Sequence, residues 1–255
     1  MPGIRFCALL LGLVVLTTSL GTAAARECRV ATIAGNPEWT PFSVAGADGK
    51  LTGAGYDIAR LALAKLGIDT RIGDAEPWAR ALASLEAGRT DLIVSAYWSA
   101  ERADKFIYSA PYADDPVVIF TKATARFPFA GLADLAGRTG VVPLGSNFGD
   151  DIAGFIRNNP RITVNASKEG MFQQLLTTRI DYAILSRRNG ERVLAQLGLT
   201  ETIVPAPQPL TINQVHMLLS RQSPCAARLD AFNGALAELR SAGTIDRLIA
   251  EADGS

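Results

Sequence analysis

The sequence predicts an α/β fold built from two related units, preceded by a segment that belongs to neither. Three observations carry this reading. Apolar runs of strand length alternate with stretches whose apolar residues recur at helical spacing. A helix–turn–strand signature occurs twice, as LEAGRTDLIVS at 85–95 and LLTTRIDYAIL at 175–185. The chain has 255 residues, 48% of them hydrophobic, enough to fill the core of one large domain or two small ones.

The N-terminus reads as a targeting segment. Arg5 precedes an apolar run from Phe6 to Leu20, and small residues end in Ala23-Ala24-Ala25. That is a charged region, an apolar region and a small-residue cleavage site, so residues 1–25 are expected to be a signal peptide. The run is short for a membrane span, and no later stretch of about 20 apolar residues follows. A retained N-terminal anchor is the alternative. Lys plus Arg and Asp plus Glu are equal at 25 each, which gives no reason to expect nucleic acid or an anionic membrane as partner. Cys7 leaves with the signal, and Cys28 and Cys225 remain. Two cysteines in an oxidising compartment suggest one disulfide. Neither follows a small-residue lipid-attachment box, so a periplasmic, soluble protein is expected. With His216 as the only histidine and no close cysteine pair, no metal site and no cofactor are expected.

The elements follow in order. Arg29 to Ile33 reads as the first strand. Asp57 is placed as the cap of a helix running to Leu66 and stopped by Gly67. Trp78, Ala81, Leu82 and Leu85 share a helical face before Gly88, and Leu92-Ile93-Val94 is a buried parallel strand. Gly140-Val141-Val142 is strand-like, and Ser146-Asn147 is read as opening a helix with Phe148, Ile152, Phe155 and Ile156 on one face. The second signature aligns Leu175, Arg179, Asp181 and Ile184 with Leu85, Arg89, Asp91 and Val94. Ser223-Pro224 starts a helix striped by Leu229, Phe232, Leu236 and Leu239, and a short final helix begins at Thr244 after Gly243.

In this order the pieces resemble the family-3 extracellular solute-binding proteins, the periplasmic amino-acid-binding group of ABC importers. The resemblance runs through Trp39-Thr40-Pro41-Phe42, Asp48-Gly49-Lys50-Leu51-Thr52-Gly53, Leu85-x-x-Gly88-Arg89-x-Asp91, Ser99-Ala100-Glu101-Arg102, Phe106-x-Tyr108-Ser109-x-Pro111-Tyr112, Gly145-Ser146-Asn147 and Ser241-Ala242-Gly243-Thr244. It implies a two-lobed periplasmic-binding-protein-like (type II) fold with two hinge crossings and a ligand cleft between the lobes. Residues 26–115 and 214–255 would form a discontinuous first lobe and 116–213 the second, with crossings near Asp115 to Ile119 and Ile212 to His216. Cys28 and Cys225 would then share a lobe, which makes their disulfide plausible. It further implies a small-molecule ligand, an ABC transporter permease as partner, and a monomer that closes by hinge rotation.

The resemblance also points to site residues. Arg102 stands where the family grips a ligand carboxylate; a guanidinium offers two parallel hydrogen bonds and stays charged when desolvated. Ser95 and Tyr97 end the apolar strand, where ligands of open α/β sheets bind. Ser146 and Asn147, at the expected helix start, would offer backbone N–H groups to an anion. Trp39 and Trp78 are candidate walls, with core packing the competing role for Trp78. Arg80 is a second cation near Trp78, more simply read as a solvated helix residue. One departure stands out: Ser186, followed by Arg187 and Arg188, occupies the place of the acid that pairs a ligand amine, and Asn36 replaces another. An ammonium would lack its charged partner. A carboxylate-bearing solute, an amino acid or a related organic acid, is therefore the expected ligand.

Two other classes compete. Cyclohexadienyl and arogenate dehydratases share the fold, but acid catalysis needs a carboxylic acid aimed into the cleft. Asp150, Asp151 and Glu169 are the second lobe's candidates, and none falls in a motif tied to that chemistry. No enzyme is expected. A ligand-sensing input for a signalling partner would use the same clamp.

Overall fold

A computed structural model describes residues 27–254 apart from 47 and 178. The expected signal peptide lies outside the described residues. The strands are β1 (Val30–Ala34), β2 (Glu38–Trp39), β3 (Ser43–Ala45), β4 (Leu51–Thr52), β5 (Asp69–Ile72), β6 (Leu92–Tyr97), β7 (Phe106–Tyr108), β8 (Ala113–Lys122), β9 (Gly140–Pro143), β10 (Ile162–Asn165), β11 (Tyr182–Ser186), β12 (Ile203–Pro205) and β13 (Thr211–Ser220). The α-helices are α1 (Ala54–Ala64), α2 (Trp78–Glu86), α3 (Ala100–Lys105), α4 (Asp150–Asn158), α5 (Lys168–Thr177), α6 (Arg187–Leu197), α7 (Leu229–Ser241) and α8 (Thr244–Asp253).

The main sheet runs β10-β9-β11-β8-β13-β6-β1-β5, with β12 against β8 and β7 against β13. One half is the parallel group β5, β1 and β6; the other is the parallel group β10, β9 and β11. Only the ten-residue strands β8 and β13 belong to both. The start of β8, Ala113 to Val117, pairs antiparallel with Thr211 to Val215 of β13. Further along, β8 pairs with β11 and β12, while β13 pairs with β6 and β7. Two strands therefore exchange partners at their midpoints and join the halves, as a two-lobed fold requires.

The repeated signature has a concrete structural meaning. In each half a helix (α2 or α5) leads through a turn into a wholly buried strand (β6 or β11). The aspartate opening that strand ties it to its parallel neighbour. Asp91 Oδ2 accepts from the Thr32 amide at 2.7 Å, and the Asp91 amide donates to Thr32 O at 2.9 Å. Asp181 Oδ2 accepts from the Thr139 amide at 2.7 Å, and its own amide donates to Thr139 O at 2.8 Å.

Three expected boundaries shift. Helix α1 begins at Ala54 instead of Asp57, because the amides of Ala54 and Gly55 donate to Pro41 O and Phe42 O, both at 2.9 Å. The preceding loop satisfies these orphan donors, so no side-chain cap is needed, and Asp57 instead accepts from Arg60 at 3.0 Å. Helix α4 begins at Asp150, past Ser146-Asn147. Asn147 Oδ1 accepts from the Gly149 amide at 2.9 Å, and Gly149 sits at φ 96°, a left-handed conformation that glycine adopts without penalty. Asn147 therefore closes a turn ahead of the helix. Ser223-Pro224 opens a 3-10 turn over Pro224–Arg228, with Ser223 capping the Cys225 amide, and α7 follows.

The expected disulfide is present between Cys28, just before β1, and Cys225, just after β13, with Cα atoms 4.8 Å apart. Both cysteines are buried in the apolar cluster of α1, α7 and the sheet. Among the described residues no helix is long and apolar enough to cross a membrane.

Candidate functional site

The chain folds around a cleft of about 350 Å³ between its halves. From the first half it is lined by Asn36 to Trp39, Pro77 to Ala79, Ala96, Tyr97 and Arg102; from the second by Pro143 to Phe148, Ala166, Lys168, Leu185, Ser186 and Asn189. These positions are the carboxyl ends of β1, β5, β6, β9, β10 and β11 and the loops and helix starts after them, where an open α/β sheet leaves room for a ligand.

Arg102 lies on the short helix α3, capped by Ser99, whose hydroxyl accepts from the Arg102 amide at 3.4 Å. Its guanidinium donates to Tyr97 O at 3.2 Å and stands 5.4 Å from the Trp78 ring centroid. Among the described residues no carboxylate lies within 4.0 Å of it, whereas Arg29, Arg60, Arg187, Arg188 and Arg247 each pair with an acid. Burial lowers its pKa, while Tyr108 and Glu101 favour the charged form. A half-buried guanidinium with donors to spare faces the cleft.

The other side of the cleft is organised around Asp115, which the sequence reading passed over. Asp115 is fully buried at the β8–β13 crossing and does not line the cleft. Its Oδ2 accepts from Tyr97 Oη at 2.7 Å and from Trp39 Nε1 at 3.1 Å, and its Oδ1 accepts from Ser186 Oγ at 2.7 Å. Burial raises the Asp115 carboxyl above its ordinary value; the bonds from Tyr97, Ser186 and Trp39, and the charge of Arg188, pull it back. Burial and the adjacent carboxylate push the Tyr97 phenol well above its usual range. Trp39 packs edge-on against Tyr97 with ring centroids 4.6 Å apart, and Phe148 lies 6.4 Å from Tyr97. These contacts fix the aromatic wall.

Of the eight residues named as ligand contacts, seven line this cleft: Trp39, Trp78, Tyr97, Arg102, Ser146, Asn147 and Ser186; Asn36 lines it too, and Arg80 does not. Ser95, the eighth, does not. Its hydroxyl is buried with no hydrogen-bond partner among the described residues, two residues back from the strand's open end. The polar roles also differ from those expected. The polar hydrogens of Trp39, Tyr97 and Ser186 are spent on Asp115. The Ser146 hydroxyl donates to Pro143 O at 2.8 Å, and its amide turns to the same oxygen at 3.3 Å, because the loop closes a turn before α4.

Sequence reading also missed Glu38, Lys168 and Asn189. Lys168 Nζ bonds Glu38 Oε2 at 2.9 Å, and Asn189 Nδ2 donates to Glu38 O at 3.0 Å, both across the halves. Asn213 Nδ2 donates to Phe148 O at 3.0 Å. Glu38 and Lys168 are 130 positions apart, and no local pattern announces their meeting. Among the described residues no cluster of metal-ligating side chains comes together.

Two α/β lobes joined by a pair of crossing strands, with a cleft at the crossing that carries a free guanidinium, are the architecture of the periplasmic binding proteins. The chain belongs to the bacterial extracellular solute-binding proteins, family 3, whose pattern matches residues 31–252. It is similar to the L-cystine-binding protein TcyJ of Escherichia coli, 27% identical over 218 residues, 82% of this chain and 77% of that protein. Among solved structures it resembles a histidine kinase sensor domain with similarity to periplasmic binding proteins (TM-score 0.74, 21% identity, 88% of this chain and 96% of that one). It also resembles the amino-acid ABC transporter substrate-binding protein AbpA of Streptococcus pneumoniae bound to L-arginine (TM-score 0.72, 19% identity, 88% and 94%). At these identities the structural likenesses speak to the fold alone.

Proposed function

We propose that this chain is the solute-capturing component of an amino-acid ABC importer, exported to the periplasm and acting there as a monomer. It holds the carboxylate of a small ligand on Arg102 and hands the closed complex to a membrane permease. The observation that carries this reading is the Arg102 guanidinium, half-buried beside Trp78 and free of any acidic partner at the cleft. A carboxylate would supply the missing counter-charge through two parallel bonds. The Asn147 loop and Lys168 approach from the second lobe, so ligand contact on both sides favours the closed arrangement over the open one. We take the division at residues 115–116 and 213–214, within the stretch where β8 and β13 pair with each other before each turns to its own half. An L-cystine-binding protein among the relatives makes amino acids the first ligands to try.

Calorimetric titration with the twenty standard L-amino acids and L-cystine tests this. At least one should bind, and Arg102→Ala should weaken it by about 2–5 kcal/mol, the usual effect of removing one partner of a buried charge pair. Undiminished affinity in a folded Arg102→Ala protein removes Arg102 from the site.

A further inference from the structure

We propose that Asp115, although outside the cleft, makes the cleft select a ligand that carries an ammonium group beside its carboxylate; this rests on the reading that the cleft binds a carboxylate at Arg102. Three cleft-lining side chains point their polar hydrogens away from the ligand space: Tyr97 Oη, Trp39 Nε1 and Ser186 Oγ all donate to the Asp115 carboxylate. A phenol, an indole and a serine hydroxyl each have one polar hydrogen. With those spent, the Tyr97 and Ser186 oxygens can offer only lone pairs to the cleft.

Ionised, the Asp115 carboxylate has no hydrogen to donate and accepts all three bonds, the one from the Trp39 N–H by necessity. No cation lies within 4.0 Å of it among the described residues. This wall therefore combines acceptors with a negative charge one residue behind. Arg102 supplies the donors on its own side of Tyr97, because its guanidinium bonds Tyr97 O while the Tyr97 ring reaches Asp115. The cleft is thus polarised, positive at Arg102 and acceptor-lined at Tyr97 and Ser186. An α-amino acid presents matching ends. A plain organic acid leaves the acceptor wall unpaired, and a second carboxylate there is repelled.

This revises the reading of Ser186. The acid expected at that position is not lost; it sits one residue deeper, and Ser186 and Tyr97 present its charge to the ligand through their oriented hydroxyls. Asp115 is accordingly a positioning residue.

The test compares L-amino acids with their des-amino acids (leucine with 4-methylpentanoate, arginine with 5-guanidinopentanoate, and so on) by calorimetry. The proteins are wild type, Asp115→Asn, Tyr97→Phe and Arg102→Ala. Wild type should favour the amino acid at least a hundredfold. An asparagine at 115 has its own N–H to donate, so one hydroxyl must accept from it and turn its hydrogen into the cleft. Asp115→Asn should therefore cut the ratio at least tenfold, by weakening the amino acid and not by general loss of affinity. Tyr97→Phe removes one acceptor and should lower the ratio in the same direction, which keeps the test open should Asp115→Asn fail to fold. Arg102→Ala should weaken acid and amino acid alike and leave the ratio. An unchanged ratio in folded Asp115→Asn and Tyr97→Phe, with Arg102→Ala still weakening binding, overturns the role of Asp115 alone. Binding of no amino acid, or binding indifferent to Arg102→Ala, overturns the carboxylate reading and this proposal with it.

Discussion

His216 shows how one buried side chain ties stability to pH. Its Nδ1 lies 2.9 Å from Ser109 O, and a carbonyl can only accept, so Nδ1 carries the proton of a neutral ring. The ring is buried edge-on to Tyr108 at 5.4 Å. Burial lowers its pKa below the ordinary 6.5, and the bond to Ser109 only partly offsets that. The unfolded chain therefore binds a proton first as pH falls. The neutral ring's contribution is whole above pH 6.5 and is lost on acidification through that value toward the lower folded-state pKa. Because this is the chain's single histidine, the effect can be isolated. Between pH 7.5 and 5.5 the wild-type urea midpoint should fall, and that of His216→Gln should fall less. Equal slopes would show that the ring titrates normally in the fold. Asp115 marks the limit of what the sequence reveals at this scale. Arg102 was legible because its neighbours form a recognisable string. Asp115 sits in Asp114-Asp115-Pro116, which reads like a solvated turn. Counting back by two from the buried Val117 would have placed Asp115 inside and Asp114 outside, as the structure does.

At the scale of elements, the doubled helix–turn–strand unit was readable because its chemistry is local. Leucine spacing, a turn and an aspartate at the strand's start are consecutive in the chain. What was not readable is how each copy is embedded. Asp91 Oδ1 also accepts from Ser223 Oγ at 2.6 Å, from the segment that carries Cys225, whereas Asp181 bonds the Thr139 amide at an exposed position. The two copies should therefore respond unequally. Asp91→Ala takes the carboxylate from a part-buried amide and leaves the hydrogen of the buried Ser223 hydroxyl without its acceptor, and should cost about 1–3 kcal/mol. Asp181→Ala lets water replace the carboxylate and should cost about 1 kcal/mol or less. Denaturation of the two variants gives the comparison, and equal losses would show that the Ser223 bond adds nothing. The misjudged start of α4 has a related cause. Ser146-Asn147 is good capping chemistry, but the left-handed Gly149 that follows spends it on a turn.

For the molecule as a whole, the disulfide and the cleft divide two tasks. Cys28 and Cys225 are 197 positions apart, so their bond closes nearly the whole described chain into one loop. On the chain-entropy account such a loop is worth roughly 5 kcal/mol, with measured values more often 2–4. That stabilisation acts on the first lobe, where Cys28 leads into β1 and Cys225 follows β13. Neither cysteine lines the cleft, and the partner exchange of β8 and β13 at residues 113–117 and 211–215 lies beyond both. Closure about those strands does not require the bond to bend or break. Replacing both cysteines by alanine should thus lower stability by about 2–5 kcal/mol in urea while leaving the affinity for any bound amino acid within about twofold at temperatures where the variant stays folded. A folded double variant that loses affinity tenfold would mean that the disulfide side of the first lobe shapes the cleft after all. The route for that would be β6, which packs in the same core as β1 and carries Tyr97 at its open end.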